Sequence, residues 1–118
     1  MRTNTSHVQA ALLRAIAAQA EIDPLDRKKT ILIVEAICSD DWASATFIGA
    51  THCLDLRLDG EAEAVNQAVA ALHHGLSERD IPIAGHIVAE IAVNSRNTII
   101  TDNMISVFLT VNALTIID

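Results

Sequence analysis

Two stretches of the chain carry apolar side chains at helical spacing, and these predict two helices. In the first, the apolar side is formed by Leu12, Leu13, Ile16 and Ala20. Ser6 followed by Gln9 is typical of a capping box, so we expect the first helix over residues 6–21. In the second, the apolar stripe consists of Val65, Ala68, Val69, Leu72 and Leu76. Asp59 precedes this stripe and is predicted to be its N-cap.

Between and after the helices, alternating or continuous apolar and β-branched residues predict four strands. The expected strands cover residues 30–38, 42–58, 83–93 and 103–117. Ser39-Asp40-Asp41 and the polar stretch from Asn94 to Asn97 have turn composition, so we place turns there.

Each half of the chain therefore has the order helix, strand, turn, strand. This order predicts an α+β fold in which residues 1–118 form a single αββαββ domain, a four-stranded antiparallel sheet with both helices on one face. Moving the last strand to the front gives the split βαβ order, so a permuted ferredoxin-like sandwich is the first choice. Strand order does not follow from the sequence, and a barrel formed by two chains is the alternative.

Strand alternation then predicts which side chains point away from the helices. For the first strand these are Ile31, Ile33, Glu35 and Ile37. For the second they are Phe47, Gly49, Thr51, Cys53, Asp55 and Arg57. For the third they are Ala84, His86, Val88, Glu90 and Ala92. For the fourth they are Ser106, Phe108, Thr110, Asn112, Leu114 and Ile116. Such an apolar face indicates a homodimer or larger ring, with a pocket for a small apolar or amphipathic ligand as a compatible second role.

Composition narrows the possible partners. The chain has 118 residues, 51% hydrophobic and 3% aromatic, with a formal charge of −7, so neither nucleic acid nor a membrane is an expected partner. The basic cluster Arg27-Lys28-Lys29 is expected to be a solvated loop. Cys38 is expected on the helix side and Cys53 on the other, which argues against a disulfide. Cysteines that are not expected to pair, together with a polar N-terminal segment over residues 1–7, predict a cytoplasmic protein.

Two segments resemble a family of short uncharacterised bacterial proteins of unknown function. The first runs from Trp42 through the sequence Trp-Ala-Ser-Ala-Thr-Phe-Ile-Gly-Ala-Thr-His to Leu58, and the second is Gly-His-Ile-Val-Ala-Glu-Ile, Gly85 to Ile91. The resemblance covers the second and third predicted strands and implies no particular activity.

Three residues are candidates for acid–base chemistry. Glu35 and Glu90 occupy matching positions in two apolar strands, where partial desolvation raises a carboxyl pKa, and His86 is expected on the face that carries Glu90. The alternative for both carboxylates is structural: cross-strand pairing with Arg57 or a hydroxyl, a charge-assisted bond from Arg57 or Arg96, or simple exposure at a sheet edge. A small enzyme using these three groups at a subunit interface is therefore the second hypothesis, after a non-enzymatic self-associating domain.

Ligand-binding candidates on the same face are Thr51, Arg57, Phe108 and Thr110. No cofactor is expected, since no glycine-rich phosphate loop occurs, and no metal site, since His73 and His74 diverge on a helix. His52 should point toward the helices and donate to a backbone carbonyl. Gly49 should mark a bulge or a close approach between backbones.

Overall fold

The computed structural model describes residues 5–22 and 30–118. It contains two α-helices, α1 (Ser6–Gln19) and α2 (Ala62–Gly75), the second followed by a short 3₁₀ turn, Leu76–Glu78. Four long strands form one sheet: β1 (Thr30–Ala43), β2 (Ile48–Glu61), β3 (His86–Thr101) and β4 (Met104–Ile117). The predicted basic loop at residues 27–29 lies outside the described residues.

The sheet has the order β1-β2-β4-β3, with every neighbouring pair antiparallel. With β4 counted first, this is the strand order of a split βαβ sandwich, so the permuted ferredoxin-like α+β fold is confirmed. Because β2 and β4 are the two central strands, β1 and β3 are the edges of the sheet.

The core lies between the central strands and the two helices. Alternate residues of β2 and β4 point to the helix side, and the largest of these are completely buried: Leu54, Leu56, Leu58, Leu109 and Val111. From the helices they are met by Val8, Leu12, Ile16, Val65 and Leu72. The alternation predicted for these two strands is confirmed, because both are regular along their full shared register.

The two edge strands, β1 and β3, are longer than the sequence predicts, whereas β2 begins later than predicted, at Ile48, and ends at Glu61. Ser39, Asp40 and Asp41 continue β1, and the turn comes later, where Ser44 N donates to Phe47 O (2.8 Å). Residues 94–97 likewise continue β3, and the second turn lies at Asp102, which adopts a positive φ of 55°. Both predicted turns are wrong, because polar residues on an edge strand face water and need not turn the chain.

Three β-bulges interrupt the edge strands. The extra residues are Glu35 in β1 and Ala89 and Arg96 in β3. A bulge shifts all following side chains by one position, so it exchanges the two faces.

The bulges overturn four predicted side-chain directions. Ile37 and Val88 pack against the core, and His86 pairs with Ile117 on the helix side. Cys38 lies directly opposite Cys53, on the face away from the helices. The predicted separation of the two cysteines is therefore wrong, as is the placement of His86 on the face of Glu90.

The helix starts also differ from the prediction. Thr5, not Ser6, occupies the first cap position, and the Gln9 side chain donates to Ser39 of β1 instead of closing a capping box. Asp59 remains in β2, and the second helix follows Glu61 directly. The helix ends are thus set by contacts with the sheet rather than by local side-chain caps.

Gly49 marks a close approach between the two central strands, as predicted. A Cβ atom built at this position overlaps the carbonyl oxygen of Thr115 in β4. Backbone of a central strand cannot move aside without disturbing its hydrogen bonds, so only glycine fits here.

We therefore expect Gly49→Ala to lower the free energy of unfolding by roughly 1–3 kcal/mol, measured by urea denaturation. Gly75→Ala is the matched control, because its Cβ meets only the flexible side chain of Gln19, and we expect a change below about 1 kcal/mol. Equal effects of the two substitutions would contradict the close approach at Gly49.

Candidate functional site

The face of the sheet opposite α1 and α2 is covered by no described helix, and we call it the uncovered face. At the centre of the uncovered face, one row of paired residues crosses all four strands, in the order Ile33, Arg57, Phe108 and Asn97. The candidate ligand residues Arg57, Phe108 and Thr110 lie together in this region, as predicted. Thr51 is on the same face but six residues further along β2, about 20 Å away.

Two guanidinium groups enclose Phe108. The Cζ atom of Arg57 lies 6.0 Å and that of Arg96 lies 5.8 Å from the centre of the ring. Both distances fit cation–π attraction. Phe108, which is partly exposed, therefore lies near two positively charged groups at the centre of this face.

The same arginines are paired with carboxylates. Arg57 Nε donates to Asp59 Oδ2 (3.2 Å) and lies 3.1 Å from Oδ1. Arg96 contacts Glu35 at 3.5 Å. Because Arg96 and Glu35 are bulge residues on opposite edge strands, this ion pair reaches across both central strands. Thr110 adds a hydrogen bond to Asp55 (2.9 Å), so the centre of the uncovered face is polar.

One acceptor at this centre is left without a donor. Asp59 Oδ1 is buried and makes no hydrogen bond within the described residues, although Arg57 Nε is close to it. A buried acceptor of this kind is costly unless a further group bonds it.

The two ends of the uncovered face are apolar. The exposed apolar side chains on it are Ile31 (40% exposed), Ile87 (53%), Ile99 (51%) and Met104 (51%). Ile87 lies beside Ile116 at one end of the sheet, and the other three lie at the opposite end. The uncovered face therefore has a polar centre between two apolar ends.

A shallow groove runs along this face beside β3. Its volume is about 440 Å³, and Thr51, Glu90, Ala92 and Asn112 contribute to its wall. The groove is wide open, so it encloses little of any small molecule placed in it.

The three acid–base candidates do not meet within one chain. Glu35 is on β1 and Glu90 on β3, which are three strand spacings or about 14 Å apart. His86 lies on the other side of the sheet, with its ring centre 5.1 Å from that of His7 in α1. Among the described residues, no three His, Cys, Asp or Glu side chains form a group that could hold a metal.

His52 is the one fully buried histidine and lies in a hydrogen-bonded chain. Its Nδ1 is 2.7 Å from Ser39 Oγ, its Nε2 is 2.9 Å from Thr115 Oγ1, and Gln9 Nε2 donates to Ser39 (2.8 Å). The predicted direction toward the helices is correct, whereas the predicted backbone carbonyl is replaced by two hydroxyl groups. These hydrogen bonds connect α1 to β1, β2 and β4, so His52 has a structural role.

The buried network of hydrogen bonds around His52 favours the neutral form of its imidazole. Burial, and then the charge of His86, lower the pKa of His52. Burial, and then the charge of His7, lower the pKa of His86. A protonated His52 would donate from both nitrogens, and the Ser39 hydroxyl, which already accepts from Gln9, would have to reorient.

No protein-family model and no curated protein matches the chain. Among solved structures, it is similar to a chain of the "Virion of native gene transfer agent (GTA) particle", with a TM-score of 0.67 and 16% sequence identity. The match covers 98% of this chain and 99% of that chain. At this identity, the similarity establishes a shared fold along nearly the whole length of both chains.

No helix in the described part of the chain is long and apolar enough to cross a membrane.

The lowered pKa values predict how stability depends on pH. Above the ordinary histidine pKa of 6.5, both folded and unfolded chains carry neutral His52 and His86, so stability is constant. As the pH falls below 6.5, the unfolded chain takes up protons first, and the free energy of unfolding decreases until the lowered pKa values are passed.

Urea denaturation at pH 7.5, 6.5 and 5.5 measures this effect. We expect His52→Gln to reduce the loss of stability between pH 7.5 and 5.5, and His74→Gln, at an exposed position of α2, to leave it unchanged. If His52→Gln retains the pH dependence of the wild type, the buried neutral histidine is not its source.

Proposed function

We propose that this chain is a structural subunit that associates with further copies of itself through the uncovered face. The observation that carries the proposal is the exposure of Ile31, Ile87, Ile99 and Met104 on a sheet face that no described helix covers. Apolar patches of this kind mark interfaces, because burying them against a partner removes them from water at about 25 cal/mol per Å².

The polar centre of the face supports a specific contact rather than indiscriminate adhesion. On this face β1 carries Glu35, β2 carries Arg57 beside Asp59, and β3 carries Arg96, so positive and negative groups occupy fixed positions. Such a pattern favours one relative orientation of two copies, because other orientations bring like charges together.

The fold relationship supports the same role. The protein of similar fold belongs to a virion particle, and the two chains correspond over almost their entire lengths. We therefore propose that this chain, too, serves in a multi-subunit particle, either as a sheet-on-sheet dimer or as part of a larger ring. Membership of the bacterial family, a cytoplasmic location and binding of a small ligand stay predictions.

Light scattering coupled to size-exclusion chromatography tests the proposal at tens of micromolar protein. We expect the wild type to elute as a dimer or larger assembly. A double substitution on the uncovered face, Ile87→Asp with Ile99→Asp, should convert it to a monomer, because two buried charges replace apolar contacts.

Matched controls are available at both ends of the sheet. Ile48 and Ile100 are 58% and 71% exposed and lie at the same ends, but on the helix side. We expect Ile48→Asp with Ile100→Asp to keep the assembly intact. A monomeric wild type, or equal dissociation of both double variants, would overturn the assignment of the uncovered face as the interface.

A further inference from the structure

The bulge at Glu35 brings the two cysteines of the chain together. Beyond the bulge, Cys38 of β1 is paired directly with Cys53 of β2, and both side chains are on the uncovered face. Directly opposed residues of antiparallel strands have Cα atoms about 4.5–5.5 Å apart. A disulfide requires a Cα separation of about 4.4–6.8 Å, so the register places this pair within the range that a disulfide spans.

We propose that Cys38 and Cys53 are a site of reversible covalent modification, which a small-molecule disulfide such as oxidised glutathione converts to an intramolecular disulfide. The bond forms within one chain and so needs no second copy; where copies associate through the uncovered face, the thiols react in the dissociated chain. It replaces the prediction that the two cysteines face opposite sides.

The two thiols have different environments, which sets the order of the steps. Cys38 is exposed, whereas Cys53 is partly buried between Cys38 and Asp55. Burial, followed by the charges of Asp55 and Cys38, raises the pKa of the Cys53 thiol, and Arg96 opposes this shift. The exposed Cys38 thiolate is therefore the group that attacks the oxidant.

The chemistry is two successive thiol–disulfide exchanges. The Cys38 thiolate attacks one sulfur of oxidised glutathione, forming a mixed disulfide and releasing one glutathione thiolate. The Cys53 thiolate then attacks the Cys38 sulfur, forming the Cys38–Cys53 bond and releasing the second glutathione thiolate. Two cysteine thiols lose two protons and two electrons, and one oxidised glutathione is reduced to two thiols.

The bond would join the edge strand β1 to the central strand β2 and close a hairpin loop between residues 38 and 53. Closing this loop restricts the unfolded chain, so we expect the oxidised protein to melt roughly 5–10 °C higher than the reduced protein. In a reducing compartment the pair stays as thiols, and in an oxidising medium it closes.

Intact-mass spectrometry of the reduced full-length chain incubated with oxidised glutathione tests the proposal. We expect both thiols to disappear, a mass loss of two hydrogen atoms and no retained glutathione. Cys53→Ser should instead hold one glutathione on Cys38, because the second exchange is removed. Thiols that stay reduced both in the wild type and in Ile87→Asp with Ile99→Asp, or a wild type that retains glutathione or forms intermolecular disulfides, would overturn the proposal.

A second variant separates pairing register from simple proximity. In Cys38→Ser with Ile37→Cys, the thiol moves by one residue to the helix side, so we expect no bond with Cys53.

Repeating the oxidation on Ile87→Asp with Ile99→Asp keeps this test independent of self-association. We expect the same disulfide there, and its absence from both proteins would contradict the assigned register.

Discussion

The packing of two helices against one side of β2 and β4 is the interaction on which the other features depend. These central strands present a largely apolar layer to α1 and α2, which also contains His52 and Thr115, and its largest apolar side chains are fully buried. A 14-residue helix is about 21 Å long, whereas a 14-residue strand is about 46 Å long. The helices therefore cover only the middle of one side of the sheet. No described helix covers the ends of that side or the opposite face.

Bulges in the edge strands place charged side chains over part of this exposed surface. Glu35 and Arg96 are extra residues on opposite edges, and their side chains meet over the central strands. The bulges also interrupt the flat edges that would otherwise pair with any extended chain. The resulting face combines a polar, ion-paired centre with apolar ends, a composition suited to a specific contact between copies.

Periodicity predicted the fold where the chain is regular and failed where it is not. The faces of β2 and β4 followed from alternation, as did the number of helices and strands. Alternation could not locate the bulges at Glu35 and Ala89, because an inserted residue leaves no mark in composition. The polar residues 39–41 and 94–97 were assigned to turns, since a solvated edge strand and a turn share the same residue types.

The candidate site residues also follow alternation on the regular strands and depart from it beyond the bulges. Arg57, Phe108 and Thr110 were grouped correctly, because they lie on the two regular strands. His86 and Cys38 were placed on the wrong side, because each is separated from its reference residue by a bulge. The hydroxyl partners of His52 were missed for another reason: Ser39 and Thr115 come from distant strands, and their approach depends on strand order.

In the association that we propose, the uncovered face becomes buried between copies of the chain. Hydroxyl-radical footprinting across a concentration series tests it directly, since Trp42, Met104 and Phe108 lie on that face and His74 lies on the outer side of α2. We expect oxidation of Trp42, Met104 and Phe108 to fall as the protein concentration rises, and oxidation of His74 to stay constant. Oxidation of the three that is independent of concentration, or a fall confined to His74, would contradict it.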